Sequence, residues 1–289
     1  MTAVLFDVPG PRSRARHQMA AVAGGLIVVA VLAFVLLRFA DSGLFTAEQW
    51  DWITYERIQI TLLQGLVATL RAFAVGAVLA MVFGALFATA RLSDHAWIRN
   101  PAAAIVEFFR AIPLLILMFL IYFGMGINAF WAVVLGLMLY NGSVLAEVFR
   151  AGILAVPRGQ SEAAYGLGMR KTQVMTAVLL PQALTAMLPT VISQLVVLLK
   201  DTALGFIIQY EELLFVGRQL GSQLQLDAPI IPVAIVIAVI YITMCMVLSL
   251  VATRAERWSR SRGRTSAEVT HADLTDVEAG AGVGQGTKV

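Results

Sequence analysis

Several runs of about 20 residues are apolar on every side, and this feature constrains the fold most strongly. A helix of that length crosses the ~30 Å of hydrocarbon in a bilayer. Only helices and closed barrels satisfy the backbone there, and runs this long and continuous are typical of helices. The chain is 59% hydrophobic and 13% charged, with a mean hydropathy of +0.82. We therefore predict an all-α integral membrane protein.

Six apolar runs are predicted to span the membrane, the first of them near the amino terminus. A cleaved signal peptide is the alternative for that first run, but the run is too long for an h-region and lacks a clear cleavage site. The half-apolar stretch 205–225 is predicted to be a re-entrant or outer amphipathic piece instead of a span. The predicted spans are residues 19–40, 61–90, 102–124, 130–154, 177–199 and 230–252.

These spans divide the chain into a central membrane unit with additional segments on either side. The tail turns basic, then polar and glycine-rich, and is predicted to be disordered. The predicted divisions are a cytoplasmic segment 1–18, an additional span 19–40, an extracytoplasmic connection 41–60, a membrane unit 61–253 with a cytoplasmic loop 155–176, and a cytoplasmic tail 254–289.

Positive charges predict the orientation in the membrane. With six spans, four basic groups fall on one side, and by the positive-inside rule that side is the cytoplasm, so both termini are cytoplasmic. Because the positive-inside rule already explains why basic residues occur on this side, the basic tail does not require a nucleic-acid partner. The groups are Arg12, Arg14 and Arg16; Arg91 and Arg99; Arg158, Arg170 and Lys171; and Arg254, Arg257, Arg260, Arg262 and Arg264.

The residues required for several kinds of enzyme are missing from the sequence. There is no G-x-x-x-x-G-K-[ST] phosphate loop and no H-E-x-x-H pattern, and the three histidines lie in polar segments. Cys245 is the single cysteine, which excludes a disulfide within the chain and a cysteine-based zinc site. We therefore predict a non-catalytic chain with no metal and no cofactor of its own.

Two similar tetrapeptides occur in the third and fourth predicted spans, Glu107 to Arg110 and Glu147 to Arg150. In each, the acid and the base are three residues apart and share a helical face. Charges in lipid are costly enough to seek partners. One interpretation is that these four side chains pair within or between the helices. The other is that they lie in the headgroup zone and are solvated.

A polar stretch separates the fourth and fifth spans, from Glu162 to Pro181. Small residues at Ala163 and Ala164 allow close approach of a partner, and Gly168 allows the chain to reverse. Leu180-Pro181 is predicted to begin the next helix, where proline loses no backbone bond. The stretch resembles the EAA loop of ABC importer permeases, which is EAA, three residues, Gly, nine residues, Ile, one residue and Leu-Pro; only the Ile differs, as Val178.

Further segments are similar to the polar amino acid branch of these permeases, the histidine, glutamine and glutamate family. In that branch the second segment has Gly-Thr where this chain has Ala111 and Ile112, which puts a role of that Thr in doubt. The start of the chain, 4–12, is similar to actinobacterial glutamate permeases. The similar segments are Gly65 with Thr69-Leu70, residues 110–115, Glu147 with Arg150, Gly152 and Ile153, Gly159-Gln160, and Lys200 to Leu204.

The resemblance implies a five-helix type I importer permease with one additional N-terminal span, in a bacterial cell membrane. It implies a second permease subunit, identical or related, two subunits that bind ATP and Mg, and an extracytoplasmic binding protein that delivers a polar amino acid, glutamate above all. The loop residues that would couple to the ATPase are Glu162, Ala163, Ala164, Gly168, Leu180 and Pro181. A secondary transporter, or a channel or scaffold without an ATPase, is the alternative.

Polar residues within the spans are the candidates for contact with substrate. An amino acid brings an ammonium and at least one carboxylate, so its path needs basic donors and an acid or carbonyl acceptor. Arg71, about ten residues from the outer end of its span, is predicted near mid-bilayer at ~1.5 Å per residue. Lys200, Asp201 and Thr202 are the other candidates. The alternatives are that Arg71 pairs with Glu147 or snorkels, and that Lys200 and Asp201 only lock the end of their helix.

Overall fold

All regular secondary structure in the described residues is helical. The computed structural model describes residues 10–41, 43–44, 46–223, 226 and 229–254, so half of the predicted amino-terminal segment and the tail beyond Arg254 lie outside them. The helices are α1 (Pro11–Asp41), a 3₁₀ helix (Ala47–Thr54), α2 (Glu56–Arg91), α3 (Ala96–Ala111), α4 (Leu114–Phe119) with a π-helical turn (Leu120–Gly124), α5 (Ala129–Leu154), α6 (Arg158–Gly166), α7 (Lys171–Gln173) with a π-helical turn (Val174–Leu179), α8 (Leu180–Asp201) with a 3₁₀ helix (Thr202–Ile208), α9 (Leu213–Gly221) and α10 (Ile230–Arg254).

Five helical runs are long and apolar enough to cross a membrane, and a sixth span is possible if α3 and α4 are taken together. This confirms the predicted all-α membrane fold. The first run, α1, is exposed along its length, and none of its most apolar window is buried. It begins at Pro11, so residues 11–18, predicted to belong to a separate segment, are part of the same helix.

The third predicted span is not one straight helix, because α3 and α4 meet at 98°. Pro113 lacks a backbone N–H and disfavours the helical conformation of the residue before it. Ile112 is accordingly extended, with φ −86° and ψ 128°. The prediction missed this break because the apolar run continues through the proline.

The helix α2 packs against α5 over most of its length, and small residues allow the close contact. A Cβ atom on Gly84 would lie 2.9 Å from the Cβ of Leu145, so a side chain there would push the two helices apart. Leu137 packs in the same way against Gly76. The α2–α5 pair has two ends. We call the end near Arg91 and Leu154 the loop end, and the end near Glu56 and Ala129 the far end.

The segment predicted to be re-entrant contains α9, which packs beside the far half of α2. Leu213, Val216 and Leu220 of α9 are buried together with Trp52 of the first 3₁₀ helix and Ile237 of α10. Nine residues of α9 correspond to about 14 Å, too short to cross a bilayer. The polar connection between α1 and α2 is thus tied to the bundle by Trp52.

Pro181 lies in the first turn of α8, as predicted, but α8 is part of a longer helical run. The helical run that contains it begins at Lys171 and continues to Ile208. The π-helical turn Val174–Leu179 immediately precedes Leu180 and Pro181. We attribute the turn to the proline, which supplies no N–H to the preceding helical turn.

Four charged side chains at the loop end connect α2, α3 and α5. Arg91 of α2, a residue that the sequence did not single out, lies 2.9 Å from Glu147 and 3.8 Å from Glu107. Glu147 also accepts a hydrogen bond of 2.6 Å from Arg150. The partner of Glu107 is therefore Arg91 and not Arg110 or Arg150. Arg110 and Glu147 line the same small cavity between α5 and α8.

We expect the Arg91–Glu147 contact to stabilise the bundle more than the Arg91–Glu107 contact. Side-chain exposure is 11% for Arg91 and 28% for Glu147, but 69% for Glu107, so water screens the second pair. A double-mutant cycle with Arg91→Gln and Glu147→Gln should give a coupling of about 1 kcal/mol in the free energy of unfolding in mixed micelles.

The matched control is the cycle of Arg91→Gln with Glu107→Gln, for which we expect less than about 0.5 kcal/mol. Equal coupling energies in the two cycles would contradict this ranking of the contacts.

Candidate functional site

The loop 155–176 contains a short helix, α6, that ends in a reversal at Gly168. Gly168 has φ +78°, a conformation that favours glycine. Its N–H donates to the Tyr165 carbonyl at 2.9 Å, and the N–H of Met169 donates to the Ala164 carbonyl at 3.2 Å. These two bonds form a Schellman motif, which satisfies carbonyls at the end of a helix. The glycine therefore determines the direction in which the chain leaves α6.

One side of α6 is available to a partner. Ala164 is buried against the bundle, whereas Glu162 and Ala163 are exposed. Leu167, just after the helix, is 83% exposed and Tyr165 is 49% exposed. An exposed side with a small residue, an acid and two large apolar side chains is suited to contact with another protein. Leu180 is half-buried and Pro181 is exposed in the helical run that follows.

The residues after Gly168 connect this loop to the end of α2. The side chain of Gln173 accepts a hydrogen bond from the Arg170 N–H at 2.8 Å and so caps α7. Lys171 Nζ lies 2.5 Å from Asp94, in the connection between α2 and α3. This ammonium lowers the pKa of the Asp94 carboxyl. The stabilisation by the pair is therefore present above the ordinary carboxyl pKa and is lost only as the pH falls through the lowered value.

A carboxylate, Asp201, lies inside the bundle at the end of α8. Asn141 of α5 donates to it at 3.0 Å, and Gln194 of α8 donates to the Asn141 carbonyl oxygen at 2.7 Å. Among the described residues no ion pair includes Asp201. The sequence prediction included Asp201 but missed Asn141 and Gln194, although a polar residue within an apolar run is itself a signal of buried function.

Asp201 lies level with a part of α2 that is about half a bilayer thickness from Arg91. Gly142, next to Asn141, packs on Ala80 and Phe83 of α2. These residues are about 12 to 16 Å from Arg91 along the helix, which is half of the ~30 Å hydrocarbon thickness. A carboxylate at this depth with only an amide as partner is costly, and such groups mark substrate or ion pathways.

The two neighbours of Asp201 differ from it in their surroundings. Thr202 is fully buried, and its hydroxyl donates to the Leu199 carbonyl at 2.7 Å. This hydrogen bond satisfies a carbonyl in the last turn of α8. Lys200 is exposed in this chain and lines a cavity of about 660 Å³ with residues of α9 and α10. Lys200 and Asp201 thus project to different sides of α8.

Arg71 packs against the start of α5. Its guanidinium is 4.7 Å from the ring centre of Phe130, at the start of α5. Along α2 it is about 30 Å from Arg91. The helix α2 begins at Glu56, earlier than predicted, which puts Arg71 about 22 Å from the first residue of the helix. Its position near mid-bilayer stays a prediction. Glu147, one suggested partner of Arg71, instead contacts Arg91 and Arg150 at the loop end.

Glu212 is a further polar residue that the sequence did not identify as buried. It is fully buried at the start of α9 and accepts hydrogen bonds from the N–H groups of Leu214 and Phe215 and from the Tyr241 hydroxyl, at 2.9, 2.8 and 2.7 Å. Its role is to cap α9 and attach it to α10.

No cluster of three or more histidine, cysteine, aspartate or glutamate side chains that could hold a metal ion occurs in the part of the chain that the structure describes. The chemistry available to the site is recognition of charge by Asp201, Lys200 and Arg71, together with contact to a protein at α6.

Comparison with known proteins supports a transport role. The family model described as "binding-protein-dependent transport system inner membrane component" matches residues 80–261. The glutamate transport system permease protein GluD of Corynebacterium glutamicum is 40% identical over 237 residues, covering 77% of this chain and 84% of that protein. The probable glutamine ABC transporter permease protein GlnP of Bacillus subtilis is 30% identical, covering 66% and 90%.

Solved structures agree with these relatives. A chain in the crystal structure of an amino acid ABC transporter with histidines is 31% identical, with a TM-score of 0.63, and the match covers 70% of this chain and 95% of that one. An inward-facing structure of the MetNI methionine ABC transporter has a TM-score of 0.60 at 22% identity and shows the likeness of fold alone. With a family model that covers most of its membrane unit, this chain belongs to the binding-protein-dependent transport system inner membrane components, the permease subunits of ABC importers.

Proposed function

We propose that this chain is the permease subunit of an ATP-driven importer whose cargo is glutamate. The relative that is 40% identical is named for glutamate transport. Others are named for glutamine and for glutamate with aspartate, which supports a polar amino acid as the class of cargo. Glutamine, glutamate and aspartate all carry an ammonium and a carboxylate, and the charged residues of the bundle can recognise both groups.

The chain itself performs no bond chemistry in this proposal. Two partner subunits bind and hydrolyse ATP with Mg, a binding protein delivers the amino acid from outside, and a second permease, identical or related, completes the path. The single observation that carries the proposal is the exposed side of α6, where Glu162 and Ala163 face away from the bundle and Ala164 faces into it. The ATPase subunits are expected to dock there.

The loop end faces the cytoplasm in the proposed orientation, because Arg91, Arg158, Arg170 and Lys171 all lie there. The far end, with Phe130 and Trp52, then faces outside. Both chain termini are cytoplasmic in this arrangement, since α1 and the five further spans cross the membrane an even number of times.

Motion of the ATPase subunits would reach the centre of the bundle through a short series of contacts. Displacement of α6 moves Gly168 and the helical run that begins at Lys171. That run is held to the α2–α3 connection by the Lys171–Asp94 pair and continues to Asp201. We infer that Asp201 accepts the ammonium of the amino acid at mid-membrane, because a carboxylate and an ammonium form a charge-assisted hydrogen bond.

Valine at position 168 should uncouple ATP hydrolysis from transport. With φ +78° the left-handed conformation costs a side chain roughly 1–2 kcal/mol, so Gly168→Val should redirect the chain after α6. We expect glutamate uptake per ATP hydrolysed in proteoliposomes to fall at least about fivefold, while delivery by the binding protein stays normal.

Gly126→Val is the matched control, because Gly126 has φ +65° with open space around it but lies in the turn at the far end. It imposes similar strain and should leave uptake per ATP unchanged. A Gly168→Val protein that transports normally would show that the loop is only a connection.

Neutralising Asp201 should abolish recognition of the cargo without disturbing the helices. Asparagine keeps an acceptor for the Asn141 amide but lacks the charge that an ammonium requires. We expect Asp201→Asn to lower glutamate uptake at least about tenfold at normal protein levels in the membrane, which corresponds to about 1.4 kcal/mol.

Ser193→Ala, on the same helix but exposed and bonded only to the Pro189 carbonyl, should transport like the original protein. If Asp201→Asn also transports at the original rate, Asp201 is not a cargo contact.

A further inference from the structure

A second group of polar residues surrounds a cavity of about 780 Å³ at the far end, separate from the carboxylate at the end of α8. The walls come from α2, the start of α5 and the connection between the 3₁₀ helix Thr202–Ile208 and α9. Its volume lies in the range of sites that bind small molecules. Arg71, Phe130, Gln209, Tyr210 and Glu211 are the lining residues that matter for its chemistry.

Arg71 is the cation of this cavity. The guanidinium stacks on Phe130 at 4.7 Å, and among the ion pairs of the described residues none includes Arg71. Stacking occupies one face of the guanidinium and leaves its edge, with the N–H donors, available. Two of those donors match the two oxygens of a carboxylate.

Residues 209–211 form another wall of the cavity, and contacts of Tyr210 hold this wall in position. The Tyr210 hydroxyl donates to the Ala68 carbonyl of α2 at 2.8 Å, and its ring lies 6.0 Å from that of Phe130. Burial raises the pKa of Tyr210 to about 12, so the hydroxyl stays protonated at neutral pH. Gln209 has φ +62°, an uncommon conformation for a residue other than glycine. Strain of this kind is found at binding sites, where the surrounding structure maintains it.

Glu211 adds a negative charge to the same cavity. It follows Tyr210 directly and is exposed. The cavity therefore offers a guanidinium for a carboxylate, a carboxylate for an ammonium, and the amide of Gln209 for further hydrogen bonds. This combination matches a free amino acid, which carries both charges, better than it matches a simple anion or a cation.

We propose that this cavity is an outer binding site, where an amino acid places a carboxylate on Arg71 and its ammonium on Glu211 before it moves inward. The proposal rests on the function proposed above and adds a second station to the path. From Phe130 to Asn141 the distance along α5 is about 16 Å. The chain from Thr202 to Ile208 joins the two stations, since Asp201 precedes it and Tyr210 follows it. The outer site therefore retains cargo that the binding protein has released.

The test measures glutamate uptake and ATP hydrolysis separately in proteoliposomes that contain the complete transporter. The binding protein is added loaded with L-glutamate. Arg71→Gln removes the charge, and we expect glutamate carried per ATP hydrolysed to fall at least about fivefold because released cargo escapes outward. The concentration of binding protein that half-stimulates the ATPase should not change. Arg71→Lys should restore part of the ratio, since it keeps the charge without the planar pair of donors.

Arg218→Gln is the matched control. Arg218 is also an exposed arginine near the far end and lies 5.0 Å from the ring centre of Phe206, but it lines the other cavity. It should leave the ratio of uptake to hydrolysis unchanged. Glu211→Gln tests the same site from the opposite wall without altering α2, so a folding defect in an Arg71 variant does not leave the proposal untested.

Three results have distinct meanings. An unchanged ratio in both Arg71→Gln and Glu211→Gln overturns the outer site. A normal ratio with weaker stimulation by the binding protein also overturns it and makes Arg71 a contact for that protein instead. If the original protein shows no ATP-dependent uptake, the proposed function fails and not this inference alone.

Discussion

Hydrocarbon offers neither the backbone nor a charged side chain any hydrogen-bonding partner, and this constraint organises the whole structure. Several buried polar groups of the bundle have their partners within the chain. Arg91 is neutralised by Glu147, and Glu212 accepts three hydrogen bonds at the start of α9. Asp201 is different, because it has an amide for a partner and no cation among the described residues. A carboxylate whose charge is not paired is well placed to bind the ammonium of the cargo.

The same constraint explains where the helices can break. Pro113 ends α3, a π-helical turn precedes Leu180 and Pro181, and α9 is too short to span. Such features need protein around them, since lipid cannot satisfy exposed backbone groups. Tight contact of α2 with α5 through Gly84 supplies a rigid support, and the broken elements pack around it. A rigid pair surrounded by bent helices is suited to a protein that must rearrange during transport.

Hydrophobicity, charge and spacing predicted most of the fold and the loop, because these signals are local in sequence. The spans follow from apolar length, and the reversal at Gly168 follows from the glycine itself. The 98° bend was missed, since a continuous apolar run conceals the effect of Pro113. The contact of Arg71 with Phe130 was also missed, because it depends on how α2 packs against α5.

Residues that act through distant partners were the hardest to predict. Arg91 looked like an ordinary charge at the end of a span, and its contact with Glu147 depends on how α2 packs against α5. Asn141 and Gln194 are far apart in sequence and meet only in the folded bundle. Lys200 and Asp201 are adjacent, yet helical geometry turns them toward different surroundings. Single-sequence patterns do not contain these relations, which arise from tertiary packing.

ATP-driven accumulation of glutamate by the purified transporter in sealed proteoliposomes tests the central claim most directly. With ATP available to the ATPase subunits and glutamate-loaded binding protein on the other side, the account predicts ATP hydrolysis above the level seen with empty binding protein, together with glutamate accumulation. Accumulation driven by an ion gradient in the absence of ATP, with hydrolysis indifferent to the binding protein, would contradict it and indicate a secondary transporter.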